Sequence, residues 1–150
     1  MFGKKIAIGS DHAGFSLKQT IIDYLTDKGI QVDDCGTYSE ESTDYPDYAA
    51  KVAKTVVSDD SYAGILICGT GIGISIAANR FKGVRAALCH DSFTAAMSRK
   101  HNNANILAMG AKVVSWEIAK EIIDIWLSEE YEGGRHERRL EKIEENLIQY

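Results

Sequence analysis

The chain has 150 residues, 45% of them hydrophobic and 26% charged, with 17 basic against 22 acidic side chains and a formal net charge of −5. That length favours one domain, 1–150, with a core of its own, and the composition excludes a disordered chain. The acidic balance speaks against a nucleic-acid partner, and no apolar run approaches the roughly 18 residues that a membrane span needs.

Short apolar runs alternate with longer amphipathic ones. Lys5 to Gly9 reads as a strand. Phe15 to Lys28 carries apolar residues at 17, 21, 22 and 25, a helical stripe, and Gly29 stands where a C-cap glycine belongs. Ile30 to Cys35 is a second strand, and residues 37–44 form a polar loop. The only proline, Pro46, suits the first turn of a helix whose stripe runs through Ala49, Val52, Ala53, Val56 and Val57.

Ala63 to Cys68 is apolar without alternation, the pattern of a central parallel strand covered on both faces. Ile74 to Phe81 is a helix, and Val84 to Cys89 is a fourth strand. Ser92 to His101 is a helix expected to turn Phe93, Ala96 and Met97 inward. Asn105 to Gly110 is the fifth strand, and Ser115 caps a helix running to Leu127. Gly133 and Gly134 then break the chain before a charged helix, Arg135 to Leu147.

Five strands alternating with helices predict a three-layer α/β, Rossmann-like (flavodoxin-like) fold with a five-stranded parallel sheet; if its order is 2-1-3-4-5, strands one and three are neighbours at the switch point. The last helix has one narrow apolar edge, Leu140, Ile143 and Leu147. It either docks loosely on its own domain or packs on a partner subunit.

In such sheets, ligands bind beyond the carboxyl ends of the strands, where strand order reverses. The loops there are Ser10-Asp11-His12-Ala13-Gly14, Cys68-Gly69-Thr70-Gly71-Ile72-Gly73-Ile74-Ser75, Cys89-His90-Asp91 and Gly110-Ala111-Lys112. Gly69, Gly71 and Gly73 give GxGxG, which is neither a dinucleotide fingerprint nor a Walker loop. Their backbone N–H groups, with the following helix, suit an anion such as a phosphate or a developing enediolate.

The three cysteines, Cys35, Cys68 and Cys89, form no CxxC pair and no zinc spacing, which fits a reducing, cytoplasmic setting. Of the three only Cys68 opens a glycine loop. A thiol there is biased toward thiolate and can serve as a base on a carbon acid. The start of the chain lacks the pattern of a signal peptide. His101 is placed to handle a hydroxyl proton, Asp11 and His12 lie at the switch point, and Tyr45 is within reach of the same edge. Arg135 and Arg139 share a helix face and suit a phosphate, unless they are tied to Glu137, Glu141 or Glu144.

Together, Gly9 to Phe15, Thr43-Asp44-Tyr45-Pro46, Ile67 to Asn79, Arg99-Lys100-His101-Asn102 and Gly133-Gly134-Arg135-His136 resemble the ribose-5-phosphate isomerase B family, which includes galactose-6-phosphate isomerase subunits. The resemblance covers nearly the whole chain. It implies conversion of D-ribose 5-phosphate to D-ribulose 5-phosphate, in the non-oxidative branch of the pentose phosphate pathway, with no metal and no cofactor. It assigns Cys68 as the base, Thr70 to the reacting oxygens and His101 to opening the furanose ring. Gly69, Gly71, Ile72, Gly73 and Ser75 line the enediolate, and Asp11, Tyr45 and Asn102 line the sugar. His12, Arg135 and Arg139 hold the phosphate, part of that set arriving from the second subunit of a homodimer, alone or as a dimer of dimers. Lys112 stands where many members carry arginine; it keeps the charge and loses the bidentate fork.

Cysteine at 68 and isoleucine at 74 place the chain with members that use the thiol rather than a loop glutamate. The His-Asn pair and the terminal arginine motif favour the ribose enzyme over galactose 6-phosphate. Allose 6-phosphate, a free rare sugar and a non-catalytic phosphosugar- or nucleotide-binding module are the alternatives.

Overall fold

A computed structural model describes residues 2–146. The elements, in chain order, are β1 (Lys5–Ser10), a 3-10 turn (His12–Gly14), α1 (Phe15–Asp27), β2 (Gln31–Asp34), α2 (Tyr45–Ser58), β3 (Tyr62–Cys68), α3 (Ile72–Ala78), β4 (Ala86–Leu88), α4 (Ser92–Lys100), β5 (Ile106–Gly110), α5 (Trp116–Ser128) and α6 (Arg135–Asn146). Leu147, expected on the edge of the last helix, lies outside the described residues. Among the described residues no helix is long and apolar enough to cross a membrane.

All strand pairs are parallel, and β3 lies between β1 and β5. Its side chains alternate between two cores. Ala63, Ile65 and Ile67 join Ile21, Leu25, Ile122 and Trp126 of α1 and α5 on one face. Leu66 and Cys68 join Val52, Ala53, Ile74 and Ala78 of α2 and α3 on the other. Both faces being dry explains the unbroken apolar run of this strand.

The sheet order is 2-1-3-5-4; it differs from the order 2-1-3-4-5 considered above in β4 and β5 and keeps β1 beside β3. Burial decides it. β5 is buried at all five positions, whereas β4 is three residues of Ala-Ala-Leu, none fully buried. A short strand of that kind suits an edge. The Asn79 side chain caps this edge: its Oδ1 accepts from Ala86 N (2.8 Å) and its Nδ2 donates to Ala86 O (2.9 Å).

The order also fixes the layers, because crossovers between parallel strands are right-handed. Chain moves in one direction along the sheet put α2 and α3 on one face. Reverse moves put α1 and α4 on the other, where Ala95 of α4 joins the α1 and α5 core. This placement overturns the expected inward face of α4. Phe93 is 71% exposed, while Ala95, Ser98 and Arg99 are buried and Ala96 and Met97 are only half-buried. Arg99 can be buried because it donates to Asn103 Oδ1 (2.9 Å) and Ala104 O (2.8 Å) and stacks on Phe2, 3.5 Å from the ring centroid.

α6 docks on its own chain at the amino edge of the sheet. His136 and Leu140 are buried, and Arg85 at the start of β4 reaches Glu144 (3.8 Å). Ile143 stays about half exposed.

At the carboxyl edge, Lys18 of α1 is completely buried and bonds Asp34 Oδ1 at 2.6 Å. The same oxygen accepts from Gly36 N (2.9 Å), so one ion pair fixes the exit of β2. Removing one partner of such a pair leaves a charge stranded. Asp34→Asn is expected to lower unfolding stability by about 2–3 kcal/mol, less than a fully buried pair would cost because Asp34 keeps some solvent contact. Lys18→Met, which removes the buried charge itself, is expected to cost about 1 kcal/mol or less. Urea denaturation of the two variants checks the ranking.

Candidate active site

The reversal point lies between β1 and β3, whose outgoing chains leave toward opposite faces. Three loops meet there. Asp11 ends β1 and uses Oδ1 to accept from Ala13 N (3.0 Å) and Gly14 N (3.2 Å). Among the described residues its Oδ2 has no hydrogen-bond partner. Gly14 is obligatory for a steric reason: a Cβ there would sit 2.7 Å from the Ile67 carbonyl oxygen. His12 Nδ1 accepts from Thr43 N (3.1 Å). This bond ties the polar loop after β2 to the switch point. It also assigns the neutral imidazole proton to Nε2, which is left as a donor.

Cys68 closes β3 at 5% exposure. Its Sγ accepts from Gly71 N at 3.1 Å. Gly71 takes φ +79°, and a Cβ there would meet Leu88 Cδ1 at 2.5 Å and the Met109 carbonyl carbon at 2.7 Å. Glycine is therefore required both for the turn and for the close approach. Thr70 Oγ1 accepts from Ile72 N (3.2 Å), and Ser75 Oγ donates to Ile72 O (2.9 Å). Two of the loop's donors are thus engaged within the loop itself. Among the described residues the N–H groups of Gly73 and Ile74 carry no hydrogen bond, and they are the donors left at the start of α3.

Lys112 N donates to Gly69 O (3.0 Å), and its side-chain stem runs over Gly69, 3.7–3.8 Å from where a Cβ would stand. Ala13 flanks the same glycine at 3.9 Å. The Tyr45 ring covers Gly73, whose added Cβ would lie 2.6 Å from Cζ and 2.9 Å from Oη. Asp11, His12, Tyr45, Cys68, Gly69, Thr70, Gly71, Ile72, Gly73, Ser75 and Lys112 therefore share one edge of the sheet.

His101, Asn102, Arg135 and Arg139 do not join them. α4 runs from the carboxyl end of β4 back to the amino end of β5, and His101 is its C-cap. Cys68 pairs with Gly110, the last residue of β5. Five extended residues separate the two edges by roughly 13 Å. Within one chain, Cys68 and His101 sit at opposite ends of the sheet.

The second group has its own organisation. His101 stacks on His136 with ring centroids 4.3 Å apart and planes at 17°. Glu132 Oε1 lies 3.5 Å from His101 Nε2 and 4.0 Å from His136 Nε2. Burial holds the His136 imidazole below its ordinary pKa, and the positive charges of His101 and Arg135 add to this. Arg135 and Arg139 are exposed and, among the described residues, form no ion pair; Glu144 is paired with Arg85 instead.

Cys35 and Cys89 read as packing residues. Burial raises both thiols above the ordinary cysteine pKa, the nearby Asp33 and Asp34 charges adding to the effect at Cys35. Sequence reasoning missed the companions of His101. Glu132 and His136 reach it across Gly133 (φ +66°) and Gly134 (φ +58°), a turn that no periodicity reveals. His90, named in the sequence only as part of the loop after β4, uses Nε2 to accept from Gly110 N (3.1 Å).

The profile of a family described as Ribose/Galactose Isomerase matches residues 6–143. Ribose-5-phosphate isomerase B of Escherichia coli (strain K12) is 54% identical over 140 residues, covering 93% of this chain and 94% of that protein. The structure of Clostridium thermocellum ribose-5-phosphate isomerase B superposes with a TM-score of 0.93 at 54% identity, covering 95% and 96% of the two chains. That of the Mycoplasma genitalium enzyme with bound ribulose-5-phosphate gives 0.93 at 43% identity, covering 99% and 98%. Matches that span essentially the whole fold, loops of the switch point included, establish that the chain belongs to the ribose/galactose isomerase family.

Proposed function

We propose that the chain interconverts D-ribose 5-phosphate and D-ribulose 5-phosphate through a cis-enediolate, as a homodimer in the cytoplasm. The observation that carries this reading is the seat of Cys68. Its sulfur lies under the glycine loop, beside unengaged backbone donors, and within a ring of groups suited to a sugar phosphate.

The chemistry is two proton transfers. The Cys68 thiolate takes the C2 proton, and the electron pair moves into the C1–C2 bond while charge builds on O1. The same sulfur returns the proton to C1, and the hydroxyl proton passes from O2 to O1. The hydrogen moves as a proton throughout, so the step needs no redox cofactor. Gly73 and Ile74 N–H groups stabilise the enediolate charge, with Thr70 beside the reacting oxygens. Asp11 and Tyr45 orient the hydroxyls. The phosphate takes the His12 Nε2–H and the Lys112 ammonium from one chain.

Ring opening requires a second titrating group, and His101 is the candidate. With roughly 13 Å of sheet between it and Cys68, His101 serves the site of a second copy, together with Asn102, Arg135 and Arg139. Exposed arginines that form no ion pair among the described residues fit that role. So does the apolar surface beside the glycine loop, where Ile72, Ile76, Leu88 and Phe93 are all exposed.

Cys68→Ala is expected to abolish C2 proton exchange in heavy water. A panel of pentose and hexose phosphates in the same assay identifies the preferred sugar, and exchange with allose 6-phosphate alone would redirect the assignment. Mixing Cys68→Ala with His101→Ala chains is expected to restore activity, with about a quarter of sites intact after random exchange of two-fold dimers. No recovery would place both residues in one chain's site. Ile76→Asp, on the exposed face of α3, is expected to leave the circular dichroism unchanged, dissociate the dimer and reduce activity at least 100-fold. Light scattering and the isomerase assay check this.

A further inference from the structure

We propose that His101, Glu132 and His136 form a binding site for one divalent transition-metal ion per chain, of the zinc class, separate from the proton chemistry at Cys68 and inhibitory to it. The three side chains offer two imidazole nitrogens and a carboxylate oxygen, all within 4.8 Å of one another. A tetrahedral ion with ligands at 2.0–2.2 Å spaces them about 3.4 Å apart. The His101–Glu132 separation of 3.5 Å already meets that spacing, and the His136–Glu132 separation of 4.0 Å needs a shift of about half an ångström.

A second observation points to a ligand. His136 is 5% exposed, and its Nε2 is buried with no hydrogen-bond partner among the described residues. Buried polar nitrogens rarely stay unpaired. This one lies beside the Glu132 carboxylate and the His101 Nε2, where a bound ion would satisfy it.

The site is held at its corners. Glu132 N donates to Lys100 O (3.0 Å), which ties the carboxylate to the end of α4 next to His101. The two left-handed glycines then return the chain so that His136 stacks on the same ring. The stack presents both imidazoles to Glu132; near-parallel rings hold their lone pairs in separate planes, so the half-exposed His101 ring turns out of the stack to share one ion with the fixed His136. Two imidazoles and one carboxylate suit zinc, cobalt or nickel rather than magnesium or calcium, which prefer oxygen. Three protein ligands leave a fourth position for water. Arg135 and Arg139 stand nearby and oppose a dication, so Glu132 is the ligand on which affinity depends most.

Binding itself depends on nothing said of the reaction; inhibition rests on the assignment of His101 above, because a metal-bound imidazole no longer exchanges a proton. The test adds cobalt(II) alone to the purified full chain and follows visible d–d absorption, with zinc(II) alone followed by calorimetry. One ion per chain is expected. Glu132→Gln and His136→Ala are expected to weaken binding by roughly 100-fold, at or beyond the 10–100-fold typical of losing an outer-shell partner. Glu132 is exposed, so its variant keeps the fold even if His136→Ala does not. Cys68→Ser is expected to bind cobalt as the unaltered chain does. Binding lost in Cys68→Ser, unchanged in Glu132→Gln, or absent altogether would overturn the site. In the isomerase assay, zinc is expected to inhibit the unaltered chain and to lose at least 10-fold in potency against Glu132→Gln, each compared with its own metal-free rate. Equal potency against both would overturn the inhibitory role while leaving the binding result to stand by itself.

Discussion

The parallel pairing of β1 with β3 is the constraint on which the remainder rests. Six consecutive residue pairs, Lys5 with Tyr62 through Ser10 with Ile67, bring two loops distant in sequence to one edge. Right-handed crossovers send the chain after β1 to one face and the chain after β3 to the other. The gap this leaves holds Asp11, His12, the Cys68 loop and Lys112. Bulk in the strands themselves would close it. A Cβ on Gly64 would meet Val52 and Ile106 at 2.8–2.9 Å, and one on Gly110 would meet the Thr70 backbone at 2.6 Å. Glycine at these positions lets α2 and the reactive loop settle onto the sheet.

Loop position is set by a few polar bonds at the same edge. Lys18–Asp34 holds the end of β2, Thr43 N–His12 Nδ1 holds the loop beyond it, and Tyr45 lies on Gly73. Each joins a different strand exit to the switch point. The thiol is part of this lattice, since Gly71 N donates to Sγ and Cys68 O accepts from Ala111 N (2.9 Å). A sulfur so anchored keeps its position, which is what the single-base isomerisation proposed above asks of it.

The opposite edge has a different character. His101, Glu132 and His136 cluster there with two arginines that form no ion pair among the described residues, and none of them reaches the thiol of its own chain. A parallel sheet separates helix C-termini from strand C-termini by the length of its strands. Residues drawn from both must therefore come from two copies if they are to act together. The separation of the two groups within one chain is thus a consequence of topology rather than of any particular side chain.

Much was legible in the sequence. The strand and helix runs were readable because each buries a pattern that only one period satisfies: the unbroken Ala63–Cys68 run, the 17-21-22-25 stripe and the Ser115 cap. The Cys68 loop was readable because its chemistry is local, a thiol and alternating glycines within six residues. Strand order, the inward face of α4 and the partners of His101 were not. The order 2-1-3-5-4 depends on which of two short apolar strands is buried deeper, a comparison made between segments rather than within one. Arg99 displaced Phe93 from the interior because backbone carbonyls and an aromatic ring were waiting for it, and those are supplied by distant parts of the chain. By itself the sequence determined the fold class and the placing of the Cys68 loop, with its glycines, after a central strand. The tertiary structure alone decided which of those groups one chain brings together, because distance across a sheet is set by packing and chain direction rather than by residue type.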